Sequence, residues 1–235
     1  MIKAVFFDLD GTLLPMDQNA FLKGYFGLLT EWMVQNGYEA QKFMKALLAG
    51  TDGMVKNDGT MTNEERFWQV FHSFYEPQER PGIVLFDRFY AERFPNTRAF
   101  CGSDPRPRLI VDAVHEKSLG CVLATAPAFP AIATETRMGY VGLCPEDFSL
   151  VTSYENCTYC KPSTGYYREV AAKAGYAPEE CLMVGNDVTD DMIPATEAGM
   201  QTFLLTDYLI NKIDADINAY HHGSYDDLLA FIRSL

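Results

Sequence analysis

Near the N-terminus the chain reads Ala4-Val5-Phe6-Phe7 and then Asp8-Leu9-Asp10-Gly11-Thr12. An unbroken apolar run of this length has no polar face to turn to water, so it fits a parallel strand buried on both sides. Asp10-Gly11 breaks the run in a turn. Two carboxylates are thereby delivered to the carboxyl end of a strand, where open parallel sheets bind their ligands. That one junction implies an α/β fold and a site.

The remaining pattern agrees with a doubly covered sheet interrupted by a helical block. From about 17 to 100 the apolar spacing is helical, as in Phe21-Leu22-Lys23-Gly24-Tyr25-Phe26, Glu64-Glu65-Arg66-Phe67-Trp68 and Val84-Leu85-Phe86-Asp87-Arg88-Phe89-Tyr90. The glycine-rich stretch from Ala49 to Thr60 is predicted to be a loop between two of these helices. After Pro105 and Pro107 strands and helices alternate: a helix near 108–118, strands near 121–125 and 149–152, a helix near 163–175, a strand near 181–184, a helix near 190–198 and a strand near 202–205. Such alternation predicts a Rossmann-like parallel sheet with helices on both faces. Residues 1–15 and 101–235 are therefore expected to form the α/β core, and 16–100 an inserted all-helical cap domain.

Composition narrows the partners. The 235 residues carry a formal charge of −13, which disfavours nucleic acid and anionic membrane surfaces. No segment is apolar for long enough to act as a signal peptide or membrane span, and the six cysteines are expected to be reduced thiols in a cytoplasmic protein. Cys157-Thr158-Tyr159-Cys160 lacks a second pair or a nearby His to complete a zinc set. A small anionic substrate remains, and in an acidic protein it needs local cations.

Residues just beyond the predicted strands could supply the means to bind it. Asp8 and Asp10 at i and i+2, with Gly11 and Thr12, can offer oxygen ligands to a hard cation while the turn presents backbone N–H groups to an anion. Thr125 follows the second strand, Lys161 is expected at a helix start, and Gly185-Asn186-Asp187-Val188-Thr189-Asp190-Asp191 follows another strand. Taken singly, each is an ordinary turn or helix-start residue. Their order along one sheet gives them weight as a set.

In that order the motifs resemble those of the haloacid dehalogenase-like superfamily, over nearly the whole chain. The resemblance implies phosphate-monoester hydrolysis of a small phosphorylated metabolite with Mg2+. It makes Asp8 the nucleophile and Asp10 the general acid and base, with Thr125 and Lys161 binding phosphate. It assigns the metal to Asp8, Asp10 and the last motif. There the spacing leaves Asn186 or Asp187 as ligand; the carboxylate of Asp187 is chosen, with Asp191 as its partner. Ala126 stands where the family often has Asn, so no side-chain contact is carried over to that position. The acidic residue two after the nucleophile favours phosphoryl transfer, by a phosphatase or a phosphomutase. A non-catalytic phosphometabolite-binding protein is the alternative from another class. Lys56, in the predicted loop, is a candidate substrate contact; His72, His115, His221 and His222 lie outside every motif.

Overall fold

Val5, Phe6 and Phe7 have no exposure to solvent, because the strand they form, β1 (Ala4–Phe7), lies inside a six-stranded sheet. The computed structural model describes every residue, Met1–Leu235. With β2 (Gly120–Leu123), β3 (Leu150–Val151), β4 (Cys181–Gly185), β5 (Gln201–Leu205) and β6 (His221–Gly223), the strand order is β3-β2-β1-β4-β5-β6. All neighbours pair in parallel. The order reverses at β1, which is flanked by β2 and β4, so the topological switch point lies where Asp8 leaves the sheet.

Strand alternation sorts β1 between two cores. Val5 and Phe7 join one apolar cluster with Ile110 and Val114 of α5 (Arg106–Glu116) and Leu228 and Ile232 of α9 (Tyr225–Ser234). Ala4 and Phe6 join the other, with Tyr166, Tyr167, Val170 and Ala171 of α7 (Thr164–Ala174) and Ala195 of α8 (Ile193–Ala198). The chain between β1 and β2 holds α1 (Gln18–Gln35), α2 (Ala40–Val55), α3 (Asn63–His72) and α4 (Ile83–Glu92), with no strand among them. These helices share the first cluster with the sheet. Aromatic rings make the join: Phe129, beyond β2, lies 5.2 Å from Tyr25 and 6.2 Å from Phe94 between ring centroids.

Several details differ from the sequence reading. The stretch from Ala49 to Val55 is not a loop but the last turns of α2. Its glycines serve close packing: a Cβ on Gly50 would fall 2.7 Å from Phe67 Cδ2 on α3. Lys56 caps that helix and pairs with exposed Asp52 at 2.7 Å. Lys161 does not begin a helix; α7 starts at Thr164, where the Ser163 side chain accepts from Gly165 N at 3.1 Å. Three elements, α6 (Ala131–Gly139), β6 and α9, are present beyond those predicted from the sequence.

The two kinds of helical glycine should respond oppositely to alanine. Gly50→Ala pushes a methyl into Phe67, and overpacking of about 1–3 kcal/mol outweighs the helix-propensity gain of about 1 kcal/mol. Gly27→Ala on α1 meets nothing within 4 Å and gains about 0.5–1 kcal/mol. Urea midpoints should fall for the first variant and rise for the second.

Candidate active site

The turn after β1 is built by its own backbone and by one glycine. Leu14 N and Thr12 N both donate to Leu9 O, at 2.7 and 3.1 Å, and Gly11 N donates to Leu14 O at 2.8 Å. Gly11 has φ +84°, and a Cβ there would strike Asn186 Nδ2 at 2.3 Å, so a side chain is excluded by conformation and by space. The close approach brings the first and last motifs together. Thr12 Oγ1 donates to Asn186 Oδ1 at 3.1 Å, and the Asn186 amide donates to Tyr208 O at 2.7 Å.

Lys161 joins the strand ends. Its ammonium, on a residue only 4% exposed, donates to Asp8 Oδ1 at 2.8 Å and to Asp191 Oδ1 at 2.6 Å. Burial alone would drive this lysine towards the neutral form, but the charges of Asp191 and Asp8 outweigh it and its pKa is raised. Burial pushes the Asp8 carboxyl up against the pull of Lys161, and nearby Asp10 adds to the rise. Asp191 is raised by burial to about 6, again opposed by Lys161. One buried cation thus holds two buried acids.

Asp191 has a further task. Its Oδ2 accepts from the backbone N–H groups of Asn186 and Asp187, both at 3.1 Å, which shapes the corner after β4. Asp187 Oδ1 accepts from Thr189 N and Asp190 N at 2.7 and 3.0 Å, capping the π-helical turn Val188–Met192 that leads into α8. Its Oδ2 has Lys212 Nζ at 3.6 Å. On the other side, the Thr125 carbonyl accepts from Tyr166 Oη at 2.7 Å and Thr152 Oγ1 at 2.8 Å. Tyr167 Oη donates to Asp190 O. The two tyrosines of α7 therefore tether the loops after β2 and β4 as well as packing on the sheet.

Asp8, Asp10, Thr125, Lys161, Asp187 and Asp191 all line one small cavity of about 30 Å3, together with Gln18, Ala126, Asn186, Asp190 and Ile210. Five of its wall residues are aspartates and one is a lysine. Asp10 Oδ1 is buried with no hydrogen-bond partner, and Asp8 Oδ2 has only the long 3.5 Å contact from Thr12 Oγ1. An excess of buried carboxylates with unengaged oxygens, and no sulfur or imidazole, is a donor set for a hard divalent cation. The donor chemistry suits magnesium, and the acids would have to draw together around the ion, since no three of them are grouped at metal-holding spacing in the structure.

One contributor lay outside the sequence motifs. Arg137, on α6 and without solvent exposure, donates from Nη1 to Asp10 Oδ2, and from Nε to Ala133 O at 3.2 Å. Its guanidinium lies 4.3 Å from the centroid of Phe129. Ala133, Arg137 and Met138 are buried on one face of α6, so the signal was an arginine at an apolar position of a helix. The ion pair fixes one oxygen of Asp10 and leaves the other turned free. Arg137→Met keeps the stem but strands Asp10; a loss of about 2–4 kcal/mol is expected, since breaking a buried pair costs more than its presence contributes. Guanidinium denaturation measures it.

The chain is similar to known proteins over most of its length. A family model, hydrolase: haloacid dehalogenase-like hydrolase, matches residues 2–199. Glyceraldehyde 3-phosphate phosphatase of Methanothermobacter thermautotrophicus is 24% identical over 216 residues, spanning 89% of this chain and 88% of its own. Pyrimidine 5'-nucleotidase PynA of Streptococcus pneumoniae is 26% identical over 236 residues, spanning 97% and 93%. The crystal structure of the HAD-hydrolase YfnB of Bacillus subtilis, bound to magnesium, superposes with TM-score 0.56 and 17% identity over 98% of each chain. With the model match covering most of its length, the chain belongs to the haloacid dehalogenase-like hydrolases and is an enzyme of the hydrolase class.

Proposed function

We propose that the protein hydrolyses small phosphate monoesters through a phosphorylated Asp8. The observation that carries this reading is the pairing of two aspartates in one cavity, each with one oxygen held by a buried cation, Asp8 by Lys161 and Asp10 by Arg137, while the other oxygen has no partner in Asp10 and only the long Thr12 contact in Asp8. Two relatives named for phosphate-ester hydrolysis support the same chemistry.

In this mechanism Asp8 Oδ2 attacks phosphorus, and the bond from phosphorus to the ester oxygen breaks. Asp10 Oδ1 delivers a proton to the departing alkoxide and later accepts one from the water that attacks the aspartyl phosphate. Lys161 and the Thr125 hydroxyl bind the phosphate oxygens. Asp8, the Asp10 carbonyl and Asp187 would hold magnesium, with Asp191 supporting them through Lys161 and the corner amides. When bound, the ion would offset the repulsion between the Asp8 carboxylate and a phosphate dianion. Residues 16–100 act as a helical cap over a core of 1–15 and 101–235, shielding the phosphoenzyme from bulk water and selecting the leaving group.

Phosphate release from p-nitrophenyl phosphate tests this directly. Asp8→Asn should lower kcat by at least about 1,000-fold and Asp10→Asn by about 100- to 10,000-fold. Equal rates for wild type and Asp8→Asn would remove the nucleophile. No release from wild type without a bisphosphate activator would instead favour a mutase.

Metal binding should depend on pH in a definite direction. Because burial lifts the Asp191 carboxyl from its ordinary 3.8 to about 6, the folded metal-free chain holds this proton more tightly than the unfolded chain. That contribution to stability is complete below about pH 4 and is lost as pH rises through about 6. Magnesium needs the ionised carboxylates. Its effect on the melting temperature should therefore be clearly larger at pH 7.5 than at pH 5, and equal shifts at both pH values would contradict the assignment.

A further inference from the structure

A second and larger cavity opens beside the aspartates. It has a volume of about 180 Å3, close to the ~150 Å3 that accommodates one benzene ring in a protein interior. Thirteen of its eighteen wall residues are hydrophobic, among them Phe21, Phe67, Trp68, Phe86 and Phe129. It lies between α1–α4 and the loop after β2. Asp10, Gln18 and Ala126 line both this cavity and the one containing Asp8. The two spaces therefore adjoin at the proposed proton donor, on the side from which a leaving group departs.

Its chemistry is selective in three respects. Aromatic walls match a flat ring, by stacking and edge contacts, better than a polyhydroxylated chain. No Lys, Arg or His lines it, and its two charged residues are Asp10 and Asp87. A leaving group with a second phosphate or a carboxylate would find no cation in the wall and would face Asp87, which has no cationic partner, whereas Asp10 is already paired with Arg137. Besides Asp10, the polar side chains of its wall are Gln18, Thr51, Asp87, three tyrosines and Trp68, whose indole N–H is buried without a partner, and Asp87 offers an acceptor for a ring N–H or amino group.

We infer that the preferred substrate is a phosphate monoester whose uncharged leaving group carries a single six-membered aromatic ring, seated in the cavity under α1–α4. The inference rests on the phosphatase reading and adds the leaving group to it. Ala126 is its specificity-determining neighbour, because its small side chain leaves the passage between the cavities open. Ring burial should appear mainly in KM, at 10- to 100-fold in kcat/KM.

The test measures kcat/KM at fixed magnesium for six esters: a pyrimidine 5'-monophosphate, a phosphorylated hydroxymethylpyridine, a purine 5'-monophosphate, ribose 5-phosphate, glyceraldehyde 3-phosphate and 3-phosphoglycerate. One or both of the single-ring esters should exceed the ring-free and carboxylated ones by 10- to 100-fold, and which of them leads separates a nucleoside from a simpler heteroaryl alcohol. Ala126→Leu should reduce the ratio of single-ring to ring-free turnover at least 5-fold; should it fail to fold, the wild-type ratios decide alone. Equal or better turnover of ribose 5-phosphate, glyceraldehyde 3-phosphate or 3-phosphoglycerate would overturn the inference and leave the phosphatase reading standing. A purine ester equal to the best single-ring ester would likewise overturn the single-ring limit. No turnover of any ester would overturn both.

Discussion

A buried ammonium between two buried carboxylates holds the ends of the strands together. Lys161 reaches Asp8 at the end of β1 and Asp191 beyond the end of β4, and Asp191 in turn fixes the backbone corner at Asn186 and Asp187. None of the three would tolerate its position alone, since an unpaired buried charge costs several kcal/mol. Together they form a chain of dependence from the sheet to the loops. Gly11 completes it by letting Asn186 approach the first turn, where a side chain would stand in the way.

A second buried cation performs a parallel task on the side of the helical segment. Arg137 holds Asp10 and lies on Phe129, whose ring meets Tyr25 of α1 and Phe94. The general acid of the proposed reaction thus rests on the same aromatic layer that joins the helices to the sheet. A shift of those helices would be felt at Asp10 through packed rings and one ion pair, a physical route from the proposed cap to the chemistry.

Much of this arrangement was legible in the sequence because it follows from local rules. The apolar run before Asp8 could be little else than a buried parallel strand, and the strand-helix alternation after Pro105 is the periodicity of a covered sheet. What escaped depended on tertiary packing. Gly50 and Gly53 read as loop residues, yet they let α2 lie against Phe67 and Val70 of α3. Lys161 was found by its motif, but its position in a loop ahead of α7 is set by Asp8 and Asp191 from distant parts of the chain. Arg137 carried no motif, and its value lies in a partner 127 positions away. The strand β6, His221–Gly223, is short, edge-placed and without an apolar pattern.

The central claim is that Asp8 becomes phosphorylated, and chemical trapping tests it most directly. An aspartyl phosphate is reduced by borohydride to homoserine, which peptide mass spectrometry can place in the sequence. With Asp10→Asn slowing the second step, an aryl phosphate substrate should leave homoserine at position 8 and at no other aspartate. Continued phosphate release with position 8 unmodified would contradict the account.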